Sequence, residues 1–271
     1  MPGPDHDVLR AFAVPWVEPR LLAGGQGRTW RVAHVVLKPV DNDEEHAWVS
    51  DVLAGLPDSA SVRVPRPLRS IEGGWSWAGW CAHEYVVGRS LSMARDASAI
   101  RSASDAFHTA VAHVPRPAFL DTRDDAWAFG DRVAWDGDPV VGSEQTRALV
   151  KAALAAYADV QATPQVVHGD LAGNVLGASG LAPAVIDWPP YWRPVGWALA
   201  VAAVDGVAWQ EAPPQLFDEW SDVGEWRQLL LRAFVYRVAT VGFREAQAQP
   251  VMDPSAHAVA MRPVLDRVLA R

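Results

Sequence analysis

The sequence predicts an α+β chain, with strands gathered in a small N-terminal part that ends near Val87 and helices dominating the larger remainder. Three observations carry this expectation. Runs of β-branched residues broken by glycine turns crowd the first part of the chain. Apolar residues at helical spacing dominate after it. One polar motif, flanked by two short β-type apolar runs, interrupts the helical part. At 271 residues and 50% hydrophobic, the chain can form one large or two modest cores, and disorder is not the default.

The elements follow in order. Leu21-Leu22-Ala23-Gly24-Gly25-Gln26-Gly27-Arg28-Thr29-Trp30 is a glycine-rich turn between strands. Glycine adopts positive φ freely and lets backbone approach a ligand closely. The run from Trp30 to Val40 is rich in valine and reads as strands, with Lys38 at its end. A helix follows, because Asp41, Asn42 and Asp43 suit its cap and first turn, and Val49, Val52, Leu53 and Leu56 recur at helical spacing. Gly55 and Pro57 help to end it. Gly73-Gly74 is a turn signal, so the runs on either side, the second ending in Glu84-Tyr85-Val86-Val87-Gly88, read as a hairpin. Helices are expected over 97–113, 144–163, 219–246 and 255–270. Pro115-Arg116-Pro117 and the Asp-rich stretch from Asp121 to Asp138 read as connections. That acidic stretch suits either a solvated loop or the lining of a site for a cationic substrate.

The most informative stretch is His168-Gly169-Asp170-Leu171-Ala172-Gly173-Asn174-Val175-Leu176, followed by Val185-Ile186-Asp187-Trp188. Two carboxylates and an amide on tight loops are hard oxygen ligands suited to a divalent cation. An Asp beside such a cation can take a proton from a hydroxyl. Phosphoryl transfer from a nucleotide needs that combination, since its catalysis is mostly positioning and charge neutralisation. Lys38 adds weight. The chain has 24 Lys and Arg together, yet only Lys38 and Lys151 are lysines. Lysine offers phosphate a compact point charge that the planar arginine fork does not reproduce.

These motifs resemble the aminoglycoside phosphotransferases and the wider kinase-like small-molecule phosphotransferases, over a span from Gly24 to about Gly196. The resemblance implies a protein-kinase-like fold of two lobes: a β-rich N-lobe over 1–87 and a helical C-lobe over 88–271, with the nucleotide in the cleft between them. It implies Asp170 as general base or hydroxyl-orienting group, His168 as the brace of the catalytic loop, and Asn174 and Asp187 as Mg²⁺ ligands. Lys38 would contact the phosphates of ATP or GTP under the turn of Gly24, Gly25 and Gly27. A helix Glu would orient Lys38. Glu45 lies four residues before Val49, on the apolar stripe, and is favoured over Glu44. Backbone near Glu84 and Val86 would pair with adenine. The chain departs from the family pattern at one point, with three residues between Asp170 and Asn174 where the family has four. One residue spans at most about 3.6 Å, and Gly173 has the backbone freedom to absorb the loss.

The implied activity is Mg²⁺-dependent transfer of the γ-phosphate of ATP or GTP to a hydroxyl of a small molecule, an amine or sugar among the candidates. A nucleotide-binding regulatory protein without transfer and a protein kinase are the alternatives. A net charge of −8 argues against nucleic acid as partner. The apolar stretch from Trp197 to Trp209 is broken by Asp205 and Gly206 and is too short to span a bilayer. A lone Cys81 excludes an intrachain disulfide, and with no signal-peptide pattern at the N-terminus a reducing, cytoplasmic setting is expected. Tryptophan is abundant, with 14 residues, and the cluster from Trp188 to Trp197 suits either a core or an aromatic wall for a ligand.

Overall fold

A computed structural model of the chain describes residues 3–23, 27–249 and 253–271. They divide into two compact units, Met1–Arg89 with Leu176–Ile186, and Ser90–Val175 with Asp187–Arg271.

The first unit is built on an antiparallel sheet. After helix α1 (His6–Ala11) come β1 (Arg20–Leu21), β2 (Trp30–Val32), β3 (Val35–Pro39), helix α2 (Asp43–Gly55), β4 (Pro67–Leu68), β5 (Ser76–Trp77) and β6 (Trp80–Glu84). The strand order is β1-β2-β3-β6-β4, with β5 also on β6. One face of the sheet closes on α1, where Val8, Leu9, Phe12 and Val14 pack with Val32, Val35, Leu37 and Ala82. The alternation of buried and half-buried residues along β3 is the two-residue period of a strand with one face inside. Ala33 turns β2 into β3 with φ of 52°. The tight hairpin of the tryptophan-rich segment lies at Ala78-Gly79, not at Gly73-Gly74 as expected. Both Ala78 and Gly79 have positive φ, 46° and 76°, which matches the right-handed twist of the paired strands. Gly73 instead closes a small turn by donating to the Ser70 carbonyl at 2.8 Å. After β7 (Arg89–Ser90), which ends the segment, the unit receives most of a second hairpin, β9 (Val175–Ala178) and β10 (Leu181–Val185), turning at Gly180. Arg63 holds it, with Nε donating to the Ala182 carbonyl at 2.7 Å.

The second unit is helical, apart from an antiparallel pair formed by β8 (Pro164–His168) and β11 (Pro190–Pro194). Its helices are α3 (Met93–Val111), α4 (Ala126–Trp135), α5 (Glu144–Leu154), α6 (Val195–Trp209), α7 (Leu216–Glu219), α8 (Trp226–Ala246) and α9 (Pro254–Leu269). α8 is the central one and packs against α4, α5, α6 and α9. α6 is apolar around nearly its whole circumference because it too is buried, with Trp197 through Gly206 all inside. Among the described residues no helix is long and apolar enough to cross a membrane.

Three sequence expectations change here. The acidic stretch from Asp121 to Asp138 is not merely a connection. It contains α4, capped by Asp125, whose carboxylate accepts from the amides of Trp127 and Ala128 at 2.8 and 2.9 Å. The helix expected to reach Thr163 stops at Leu154, and the one expected from Glu219 is split into α7 and α8. Glu225 accounts for much of both. It sits in left-handed conformation just before α8, and its carboxylate accepts from the amides of Gln161 and Ala162 at 2.7 and 2.9 Å. The distant backbone amides are thereby satisfied without a helix.

Gly130 shows how closely α4 and α8 approach. A Cβ there would lie 2.3 Å from Thr240 Oγ1 and 2.5 Å from the Tyr236 carbonyl oxygen. Gly130→Ala is expected to lower stability by about 1–3 kcal/mol through overpacking, despite alanine's better helix propensity. Urea unfolding checks this, and an unchanged or higher midpoint would contradict the close crossing.

Candidate active site

The candidate catalytic loop leaves the C-terminal end of β8. His168 is fully buried, and its amide donates to His108 Nε2 at 3.1 Å. His108 Nδ1 in turn donates to the Ser104 carbonyl at 2.8 Å, which assigns the neutral tautomer that leaves Nε2 as acceptor. Burial, reinforced by neighbouring His168, lowers the His108 pKa to about 3. The imidazole is therefore a structural acceptor at neutral pH. His168 Nδ1 accepts from the Asp170 amide at 3.1 Å. Thus His168 braces the loop from inside. Gly169 is required by packing, since a Cβ would lie 2.3 Å from two ring carbons of Tyr191.

Beyond it the chain turns sharply. The Asn174 amide donates to the Leu171 carbonyl at 3.0 Å, and Gly173 takes φ of 91°. The shortened loop thereby folds back on itself. Asn174 Nδ2 donates to the Asp170 carbonyl at 2.7 Å and approaches Asp170 Oδ2 at 3.2 Å. With its nitrogen committed to Asp170, Asn174 has Oδ1 left as a ligand atom. The Asp170 side chain remains 44% exposed.

Asp187 belongs to the other segment at this end of the β8–β11 pair. Pro190 is in register with His168, so the loop after His168 and the segment before Pro190 leave the same end. Asp187 is exposed with φ of 49°, and the next residue, buried Trp188, anchors it by donating Nε1–H to the Val167 carbonyl at 3.1 Å. Asp187 and Asn174 Oδ1 are hard oxygen donors of the kind Mg²⁺ takes, and Mg²⁺ completes its shell with phosphates and water. Among the described residues no group of three or more His, Cys, Asp and Glu could hold a metal.

In the sheet unit, Lys38 sits on β3 opposite Cys81, whose thiol donates to the Lys38 carbonyl at 3.4 Å. Glu45 lies in the first turn of α2, its amide donating to the capping Asn42 Oδ1 at 3.0 Å. The adjacent His46 has a lowered pKa, chiefly through burial, opposed by a bond to the Trp75 carbonyl and reinforced by the positive charge of Lys38. Glu84 ends β6 and is exposed, its amide donating to the Arg66 carbonyl at 2.8 Å, and Val86 follows it outside the strand. Gly27 takes φ of 69°, whereas Gly24 and Gly25 lie outside the described residues.

Two residues escaped the sequence reading. Arg237 of α8 donates Nη2–H to Asp170 Oδ1 at 2.5 Å, and its Nε–H to Asp205 Oδ1 of α6 at 2.8 Å. Burial raises the Asp205 pKa to about 6, while Arg237 pulls it down and Asp170 pushes it up. The available signal was Asp205 itself, a lone charge inside an apolar run. Nothing local marked Arg237.

The aromatic cluster after Asp187 is mostly core. Trp188, Tyr191 and Trp197 are buried, and Tyr191 and Trp197 both pack edge-on against Tyr236. The acids of the Asp-rich stretch are largely engaged by arginines, in the pairs Arg116–Asp121, Arg123–Asp125, Arg193–Asp131 and Arg132–Asp138.

No family model and no curated protein sequence matches the chain. Solved structures do match. A choline/ethanolamine kinase family protein from Mesorhizobium loti is 17% identical, with a TM-score of 0.62 over 98% of this chain and 94% of that one. LicA in complex with AMP is 13% identical, with a TM-score of 0.61 over 94% and 92%. A thermostable mutant of aminoglycoside phosphotransferase APH(4)-Ia, in ternary complex with ADP and hygromycin B, is 14% identical, with a TM-score of 0.59 over 96% and 97%. The chain has the fold of these kinase-like phosphotransferases, with a β-sheet N-terminal region and a helical C-terminal region.

Proposed function

We propose that this protein transfers the γ-phosphoryl group of ATP or GTP to a hydroxyl of a small molecule. The observation that carries the reading is the loop from His168 to Asn174. It holds a half-exposed Asp170 carboxylate beside an Asn whose amide nitrogen is fixed by Asp170 itself. The neighbours lend support through fold, and two of those named above are complexes, LicA with AMP and the APH(4)-Ia mutant with ADP and hygromycin B.

In this reading Asp170 accepts the proton of the acceptor hydroxyl as its oxygen bonds to the γ-phosphorus and the nucleoside diphosphate oxygen leaves. Asn174 and Asp187 would hold Mg²⁺. When bound, the ion offsets negative charge on the phosphate oxygens. Lys38 contributes a point cation to the phosphates, with Glu45 orienting it and the turn of Gly24, Gly25 and Gly27 offering backbone amides. Backbone near Glu84 and Val86 meets the base.

Calorimetric titration tests the nucleotide half of the proposal. Mg²⁺-ATP or Mg²⁺-GTP should bind with sub-millimolar affinity that weakens in EDTA. Lys38→Arg should impair binding nearly as much as Lys38→Ala, because the longer planar fork misplaces the charge. Folded protein that binds neither nucleotide at millimolar concentration would overturn the reading.

A second reading, a nucleotide-binding regulator without transfer, draws on one observation: both carboxylate oxygens of Asp170 already have protein donors. It differs in predicting nucleotide binding with no ADP release in the presence of any acceptor.

A further inference from the structure

We propose that Arg237 is a positioning residue for Asp170, fixed by Asp205 so that it holds one carboxylate oxygen and leaves the other to the acceptor hydroxyl. The proposal rests on the phosphotransferase reading above.

The arrangement spans three elements. Arg237 sits mid-way along α8, Asp205 near the end of α6, and Asp170 in the loop after β8. The Arg237 side chain is 11% exposed and Asp205 8%, while Asp170 is 44% exposed. A buried ion pair would be complete with Asp205 alone, since Nε and Nη2 both reach its carboxylate in the forked geometry that arginine favours. The same guanidinium nevertheless reaches on to a half-exposed carboxylate. Asp205 anchors the cation, and the cation anchors Asp170 Oδ1 at 2.5 Å. Among the described residues, Oδ2 takes just the longer 3.2 Å contact from Asn174. A carboxylate pinned at one oxygen presents the other in a defined direction, which is what a base that must meet a bound hydroxyl requires.

The position of Arg237 is itself over-determined. Its guanidinium carbon lies 5.0 Å from the Tyr236 ring centroid, and the Tyr236 hydroxyl bonds that of Tyr191 at 3.0 Å. Tyr191 is the residue against which Gly169 packs. The base and its clamp thus share one supporting wall.

The test uses full-length protein and follows ADP release from Mg²⁺-ATP with a mixed panel of amino alcohols, sugars and aminoglycosides as acceptors. Calorimetric affinity for Mg²⁺-ATP is measured alongside. Arg237→Gln should lower kcat by about 10-fold to 100-fold, with nucleotide affinity and KM for ATP within about twofold of wild type. Arg237→Lys keeps the charge without the fork and should recover part of the loss. In an Asp170→Asn background, Arg237→Gln should cause little further loss of kcat, because residues that act as a unit are not additive. Asp205→Asn, which loosens the anchor and keeps the volume, should reproduce the kcat effect in milder form if Arg237→Gln proves unstable.

Unchanged kcat in folded Arg237→Gln and Asp205→Asn overturns the proposal. So do full additivity with Asp170→Asn, and a wild type that binds Mg²⁺-ATP but releases no ADP with any acceptor. A wild type that binds no nucleotide refutes the phosphotransferase reading itself and this proposal with it.

Discussion

Asp170→Asn is expected to lower phosphoryl transfer by about 10²- to 10⁴-fold, the usual contribution of a positioned general base, while nucleotide affinity stays near wild type. The separation follows from the contacts. An amide oxygen at position 170 can still accept from Arg237, and the Asp170 carbonyl still holds Asn174, so the loop keeps its shape. What disappears, on the proposed function, is the proton acceptor. Asp187→Asn should behave differently. It removes a charge from an exposed carboxylate beside the anchored Trp188 and should weaken Mg²⁺-nucleotide binding first, with loss of turnover following from that. Calorimetry and steady-state ADP release on the same preparations distinguish the two. Equal losses of binding in both variants would contradict these separate roles.

The second expected result concerns acid stability. His108 and His257 are buried imidazoles whose pKa values burial lowers to about 3 and about 4, with His168 adding to the effect at His108. Below pH 6.5 the unfolded chain protonates both rings while the folded chain does not, so acid favours unfolding. The cost grows as pH falls and levels off only below the folded values. At pH 5 each imidazole should cost about 2 kcal/mol relative to pH 7.5. Asp205 works in the opposite sense, because a carboxyl raised to about 6 gains protons in the folded state first. Comparing variants isolates one group. His257 lies against Trp209, and among the described residues its Nε2 has no hydrogen-bond partner, so His257→Phe removes the titration with little polar loss. The difference in unfolding free energy between pH 7.5 and pH 5 should shrink by about 2 kcal/mol in this variant. An unchanged difference would mean that His257 is protonated in the folded state.

The expected helix caps and apolar spacings mostly reappear in the structure, because they depend on neighbours within a few residues. Asn42 caps α2 with Glu45 in its first turn, and the valines of β3 alternate as the strand period requires. The misplaced boundaries had non-local causes. Glu225 satisfies amides at Gln161 and Ala162, some 64 residues away. Ala78 accepts left-handed φ in a hairpin whose register is held by β3 and β6. Neither effect leaves a trace in a local window of sequence.

The same division runs through the candidate site. By itself the sequence determined that Asp170, Asn174 and Asp187 lie on loops beside short apolar strands, and that Lys38 and Glu45 occupy a strand and the helix after it, whereas His168, expected on the loop, is the last residue of β8. Contiguous motifs specify local turns, and local turns need no partner. Only the tertiary structure decided how the shortened loop closes, with Asn174 folding back onto Asp170 through Gly173. Only packing decided that the tryptophans and tyrosine after Asp187 fill the core, and that acids of the Asp-rich stretch bind arginines. Above all, the fork of Arg237 between Asp170 and Asp205 joins positions 67 and 32 residues apart. Burial makes such a pairing obligatory, since neither charge can be left alone away from water, and burial is a property of the assembled helices rather than of any one segment.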